Sequence, residues 1–407
     1  MGSLSAAARG CLTAVLIAAL AGCTTLMDGK ALKAPHDVNA DGADLALLDV
    51  GNYPTVPRAA LGEAPTENMG TILEGHRLAN NTVVPTDVDP TLTKVSAMNI
   101  LTMQLSRGIS VDLPDPAQSI VSAHHLLAGF STARHSPDKK RSMINLVLRF
   151  PDPAAAADTA KQLSPLGFDG LPPTRPFGIP RHPDALARAY TSPDGAGMNG
   201  GEVVEAYLPH GPYLLYGWMR VPGPTEESAN LVAALFDKQV ALIDTFVATD
   251  PAQIAHLPMD PFGFLNRVIP ADGDAAKSVN IGGLGPQAAL HFQDDVIQAT
   301  KDFDTAGVDA VGDLKTTVYR ARDAAGAATM VESAQRWAAA RPGAQAIDPP
   351  PGLPFAKCFE FTQDEQTSGA RFTCVATADR YQIEVWSQQR RDAYQQTSAQ
   401  YLLLIAP

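Results

Sequence analysis

The chain has 407 residues, of which 45% are hydrophobic, 18% charged and 6% aromatic, with a formal charge of -12. That is globular composition with length enough for two domains. The acidic excess repels phosphate backbones and anionic lipid headgroups, which argues against nucleic acid as a partner and against polybasic attachment to a membrane.

In chain order the first feature is a leader. Arg9 is the only charged residue before position 23, and Cys11 to Ala21 is small and apolar apart from Thr13. This run is too short to span a bilayer but suits the apolar part of a signal peptide. It ends in Leu20-Ala21-Gly22-Cys23, which resembles the bacterial lipobox. The resemblance implies cleavage before Cys23 and diacylglycerol, hence palmitate-type acyl chains, on its thiol. Each buried methylene contributes roughly 0.8 kcal/mol, so two or three chains would anchor the protein stably. The expected place is the outer face of the cytoplasmic membrane, with residues 1–22 as signal peptide and 23–44 as a flexible tether.

Beyond the tether, Leu45 to Val50 reads as a strand, and the prolines Pro54 and Pro57 keep the next stretch extended. Helices are predicted over Glu67 to Asn80 and Pro116 to Leu127. Then comes strand Met143–Phe150, helix Ala154–Leu163, strands Leu186–Thr191, Glu202–Leu208 and Tyr213–Arg220, and a long helix from Thr225. The order returns near the C-terminus: strand Thr316–Ala321, helix Ala327–Ala340, strands at Cys358, Phe372 and Tyr381, and helix Arg391 to about Leu404. Tyr213 and Trp218 precede Tyr381 and Trp386 by 168 residues each. We read a duplicated β-α-β-β-β-α module in an α+β protein, its antiparallel sheets carrying helices on one face. The boundaries expected are 45–250 for an N-terminal domain, 251–311 for a structured linker and 312–407 for a C-terminal domain.

Two of the four cysteines remain in the folded part, Cys358 and Cys374. They flank a polar turn centred midway between two strands, so they face each other across a hairpin and should form a disulfide in an oxidising compartment. No Cys-x-x-Cys spacing suggests a redox role.

Several stretches resemble an uncharacterised family of actinobacterial lipoproteins from mycobacteria, nocardiae and relatives. They are Leu48-Asp49-Val50-Gly51-Asn52-Tyr53-Pro54-Thr55-Val56-Pro57-Arg58, Glu74-Gly75-His76-Arg77-Leu78-Ala79, Val88-Asp89-Pro90, Gly129-Phe130-Ser131 and Asp260-Pro261-Phe262-Gly263-Phe264-Leu265-Asn266-Arg267. The resemblance spans most of the mature chain. It implies an envelope setting and supplies neither an activity nor catalytic residues.

The residues themselves carry no recognisable chemistry. His124 and His125 are adjacent, with His135 nearby, and adjacent helical side chains diverge by about 100° rather than converging on a metal. Asp37, Asn39 and Asp41 begin like a calcium loop, but Leu48 stands where its closing Glu belongs. Gly129-Phe130-Ser131-Thr132-Ala133 is half of a nucleophile elbow, with Ala133 in place of the second Gly. Gly282 to Gly285 lacks the Gly-Lys pair of a phosphate loop. No metal or cofactor is expected. Tyr213, Tyr216 and Trp218, with Phe262 and Phe264, are candidates to line an apolar groove. The leading expectation is a non-catalytic envelope module that binds lipid, glycan or a partner protein. The alternative is an esterase-like envelope hydrolase assembled from residues distant in sequence.

Overall fold

The structure is a computed structural model that describes residues 39, 41–101, 109–167, 172–193, 200–362 and 369–407. Residues 1–22, expected as a leader, and Cys23 and Asp37 lie outside the described residues. Among those described, no helix is long and apolar enough to cross a membrane.

The chain is α+β, with two antiparallel seven-stranded sheets in two domains. A helix α1 (Glu67–Ala79) leads into the first. Its elements run β1 (Lys94–Leu101), α2 (Ile109–Asp112), α3 (Ala117–Ala123), β2 (Ala128–His135), β3 (Ser142–Arg149), α4 (Pro153–Leu163), β4 (Arg175–Phe177), β5 (Leu186–Ser192), β6 (Gly201–His210), β7 (Tyr213–Val221) and α5 (Thr225–Ile243). The second repeats that order: β8 (Gly282–Leu284), α6 (Pro286–Leu290), α7 (Val296–Ala306), β9 (Ala310–Asp313), β10 (Thr317–Arg320), α8 (Ala324–Ala339), β11 (Ala344–Ile347), β12 (Lys357–Phe361), β13 (Phe372–Ala378), β14 (Tyr381–Ser387) and α9 (Arg390–Ile405). Strand orders are β1-β2-β3-β7-β6-β5-β4 and β8-β9-β10-β14-β13-β12-β11, the same path twice.

The duplication is therefore larger than the six-element module read from sequence. It adds two strands and two helices at the front of each copy and one edge strand within it. These were hard to see because β8 is only Gly-Gly-Leu and β4 and β11 are short and largely exposed, so none carries an alternating apolar pattern. The stretch 251–311, read as a linker, supplies β8, α6, α7 and the first half of β9.

Local chemistry starts the equivalent helices alike. Asp152 accepts from the Ala155 N–H at 2.9 Å at the head of α4, and Asp323 from the Gly326 N–H at 2.8 Å at the head of α8. Such caps satisfy backbone donors that have no partner within the helix.

The helices cover both faces of each sheet, not one. Strand β6 is buried continuously from Val203 to Leu208, which requires cover above and below. On one face of the first sheet, Leu215 and Met219 pack with Val232, Leu235 and Phe236 of α5 and with α1. On the other, Leu146, Leu148, Leu214 and Tyr216 pack under α2, α3 and α4. In the second sheet Cys374, Ala376, Ile383 and Val385 face α9, while α6, α7 and α8 lie over the opposite face.

The domains share a core. Leu78 and Ala79 of α1 join Leu284, Ala288 and Leu290 in one buried cluster. Arg134, 1% exposed on β2, donates to the carbonyls of His291 at 3.0 Å and Gln293 at 2.8 Å, just past α6.

The N-terminal stretch belongs physically to the second domain. Leu45–Leu47 is a single 3-10 turn rather than a strand. Tyr401 donates to Asp41 at 2.6 Å, and Tyr53 donates to Asp392 at 2.6 Å. Arg58 donates to the Leu265 carbonyl at 2.7 Å. Val50 and Tyr53 pack on Ile269, Ala399 and Leu403. Residues 41–58 thus form a strap over α9 and its neighbours.

Cys358 and Cys374 sit directly opposite each other on β12 and β13, with Cα atoms 4.2 Å apart, and are disulfide-bonded. In the first sheet the matching pair is Ala187 opposite Ala206.

Candidate ligand-binding site

The aromatic residues singled out from sequence do not converge. Tyr213 packs in the core under α5 and Tyr216 in the core under α4, on opposite faces of β7. The Trp218 indole donates to the Tyr190 hydroxyl at 3.1 Å. Phe264 is buried in the second domain against Tyr381, 5.7 Å between ring centres, with Phe262 beside the same core. They occupy separate cores, so no common groove forms.

The other candidates are accounted for structurally. Ser131 lies mid-strand in β2 and is 1% exposed, so the elbow geometry of a strand-to-helix turn is absent there. The Asp41 carboxylate is engaged by Tyr401 and by the Ala43 N–H. His124 pairs with Gln162, and His135 with the Ser136 carbonyl. Among the described residues, no group of three His, Cys, Asp or Glu could hold a metal ion.

A cavity of about 460 Å³ opens instead between the second sheet and helices α6–α8. Its floor follows from strand periodicity. On β14, Ile383 and Val385 turn to α9, so Gln382, Glu384 and Trp386 turn to the cavity. On β10, Val318 turns to α9, leaving Thr317 and Tyr319 on the floor. Registration then aligns Asp313, Thr317 and Glu384 in one row across β9, β10 and β14. The roof is helical: Met330, Ser333, Ala334 and Trp337 of α8 recur at i, i+3, i+4 and i+7, and Asp302 and Phe303 of α7 face them. Phe292, Asp294 and Asp295 complete the wall.

The electrostatics are acidic. Five carboxyl groups line the cavity, those of Asp294, Asp295, Asp302, Asp313 and Glu384, and none of the described lining residues is Lys, Arg or His. The Thr317 hydroxyl donates to Asp313 at 2.9 Å, and the Trp386 indole to Glu384 at 2.8 Å. Burial pushes the Asp313 carboxyl up to about 6 despite the Thr317 hydrogen bond. Burial also raises Glu384; the Trp386 hydrogen bond opposes this, and the charges of Asp313 and Asp294 add to it. Tyr319 is held well above its usual range by burial and by the Glu384 charge. Ser333 donates to Asp302. At the rim, the Arg341 guanidinium lies 4.3 Å from the Trp337 ring centre and 3.6 Å from Asp294.

The first domain provides an internal control. Tyr216 faces Leu146 across β7 and β3 as Glu384 faces Thr317 across β14 and β10. By the same registers Leu214 corresponds to Gln382, Leu148 to Tyr319 and Ser131 to Asp313. Counted from the capping Asp152 and Asp323, Leu163 of α4 corresponds to Ala334 of α8. In the first copy Leu146, Leu148, Leu214, Tyr216 and Leu163 fill the space as a core. In the second, smaller or polar side chains leave it open. The signal lay in the 168-residue repeat itself, where Leu214-Leu215-Tyr216 aligns with Gln382-Ile383-Glu384. Read singly, β14 looks like an ordinary strand with one wet face.

Comparison with known proteins adds the following. No curated protein matches the sequence. Among solved structures, the fold is similar to the extracellular domain of PknH from Mycobacterium tuberculosis at 12% identity and a TM-score of 0.28, covering 39% of this chain and 92% of that one. Residues 61–259 match the N-terminal part, and residues 264–406 the C-terminal part, of a family described as a domain of unknown function, DUF7373. The two matches meet between the two sheets and together take in nearly all of the described fold, so the chain belongs to the DUF7373 family.

Proposed function

We propose that this protein is a lipid-anchored envelope lipoprotein of actinobacterial type whose C-terminal domain holds a small molecule without transforming it. The observation that carries the binding half is the cavity over Asp313, Thr317 and Glu384, in a place where the sister domain has a packed core. Fold stability alone favours filling such space, because an unfilled polar interior loses dispersion and desolvates carboxyls. A retained cavity with charged lining is a default mark of a ligand site.

Export is supported by the Leu20-Ala21-Gly22-Cys23 motif and by the disulfide. With Cys23 acylated, the 18 residues to Asp41 reach at most about 60 Å. The strap formed by residues 41–58 then makes the C-terminal domain the one tied near the membrane.

Native mass spectrometry of protein extracted from its own membrane tests both halves. The expected mass includes acyl chains on Cys23, lost in Cys23→Ala. It also includes a bound small molecule that is lost in Ala334→Trp, which fills the cavity from α8. A wild-type protein that carries nothing, and binds nothing from an envelope extract, overturns the binding reading.

A second reading has one observation behind it. Asp313 and Glu384 are two acids with raised proton affinity on one floor, separated by a single strand and hence by about 10 Å at the backbone. Glycoside hydrolysis uses two carboxyls about 5–9.5 Å apart. Release of reducing sugar from envelope glycans, abolished by Glu384→Gln, would favour this hydrolase over a pure binder.

A further inference from the structure

Resting on the ligand-binding reading above, we infer that the occupant of the C-terminal cavity is an organic ammonium ion, a protonated amine on an apolar body.

The floor asks for hydrogen-bond donors. Ionised carboxylates accept only, and each has room for several donors. Asp313 receives the Thr317 hydroxyl and Glu384 the Trp386 indole, which leaves acceptor sites on both. Gln382 stands beside them on β14, lines the cavity and is 1% exposed, yet its amide oxygen has no hydrogen-bond partner. A buried acceptor without a donor is costly, and native proteins rarely leave one so. Gln382 and Glu384 are next but one to each other on β14 and share its cavity face, so a ligand donor placed over them would satisfy the Gln382 oxygen and reach the Glu384 carboxylate.

Charge narrows the class. Asp294, Asp295 and Asp302 stand on the walls; Arg341 at the rim pairs with Asp294, and the charge of Arg134 acts on Asp294 and Asp295, which leaves Asp302 with the floor carboxyls as the uncompensated group. Polyols could supply donors, but only a cation also relieves the mutual repulsion of Glu384 with Asp313 and Asp294. An anion is repelled from the same place.

The walls describe the rest of the ligand. Trp337 and Trp386 meet edge to face with centres 5.8 Å apart, and Phe303 stands against Tyr319 at 5.7 Å. Aromatic faces attract ammonium groups and shelter alkyl stems. Met330 adds an unbranched, adaptable surface on α8.

The test is isothermal titration of the full mature chain with octylammonium chloride, 1-octanol and octyl glucoside, each below its micelle concentration. Octylammonium should bind at least about tenfold more tightly than octanol, the fold-change of one hydrogen bond to a charged group. Glu384→Gln and Asp313→Asn, near-isosteric changes, should each remove that preference, and Ala334→Trp should remove binding of octylammonium altogether. Octanol or octyl glucoside binding as tightly as octylammonium overturns the ammonium assignment and leaves the cavity as a binding site. Absence of binding by all three probes, together with no ligand on the protein extracted from its membrane, overturns both readings.

Discussion

Glu384 stands in the second sheet where Tyr216 stands in the first, opposite Thr317 in one case and Leu146 in the other. The same backbone thus carries a core residue in one copy and a carboxyl facing a cavity in the other. Exchange tests the difference. Tyr216→Glu should cost about 3 kcal/mol or more of stability, since it buries a second carboxylate beside Glu205, which in the native protein accepts from the Tyr216 hydroxyl. Urea denaturation monitored by Trp fluorescence measures it.

Asp313 makes stability depend on pH in a defined direction. Its folded-state value of about 6 lies above the ordinary 3.8. The folded chain therefore keeps this proton longer than the unfolded chain. The contribution is complete below pH 3.8 and is lost as pH rises through about 6. Asp313→Asn removes that loss. It should stabilise the protein by on the order of 1–2 kcal/mol at pH 7.5 and by nothing at pH 3.5, less than the whole shift implies because Asp313 is only partly buried. Urea midpoints of both proteins at the two pH values give the comparison. An equal difference at both would show that the carboxyl does not titrate as stated.

The disulfide is a local addition to a sheet that folds without it elsewhere. Cys358 and Cys374 are 16 residues apart and take the place of Ala187 and Ala206. The Cys358→Ala, Cys374→Ala double variant should fold, with the C-terminal domain weakened by about 3 kcal/mol, the chain-entropy value for a loop of this length. Limited proteolysis within β12 and β13 would report the loosened strand pair.

Arg134 locks the domains together. Its guanidinium, whose pKa burial lowers to about 10, also donates to the Thr93 carbonyl at 3.2 Å. Arg134→Met fits the space but leaves these carbonyls without a donor. It should cost about 2–4 kcal/mol and split one unfolding transition into two, one per domain. Circular dichroism and Trp fluorescence would then cease to coincide.

Gly326 is required by a close approach. A Cβ there would collide with the Ala306 carbonyl oxygen at the end of α7 and press on Ala321. Helix propensity alone predicts that Gly326→Ala stabilises α8 by about 1 kcal/mol. The expected result is the opposite sign, a loss of at least about 1 kcal/mol from overpacking between α7 and α8. Because α7 and α8 roof the cavity, ligand affinity should fall with it.

Much of the fold was legible because local rules and long-range packing agree. The strand pattern of Met143–Phe150, the helical period of Thr225–Ile243, and the 168-residue spacing of Tyr213 and Tyr381 all follow from side-chain direction in strands and helices. Glu67–Ala79, with its Thr66 cap, was readable for the same reason. The edge strands were not, since Gly282-Gly283-Leu284 has no face to alternate. Leu45–Val50 misled because Leu48 and Val50 are apolar for the sake of the second domain, far along the chain.

By itself, then, the sequence determined the α+β class, the repeated strand and helix order and the Cys358–Cys374 pairing. Each depends on residues near one another in the chain or on a hairpin register that a short turn sets. Only the tertiary structure decided which faces are covered and where space remains. Gln382 and Glu384 look like the wet side of a strand until α6, α7 and α8 close over them. Burial is a property of what lies across the fold, and it turns two ordinary polar side chains into the floor of a candidate site.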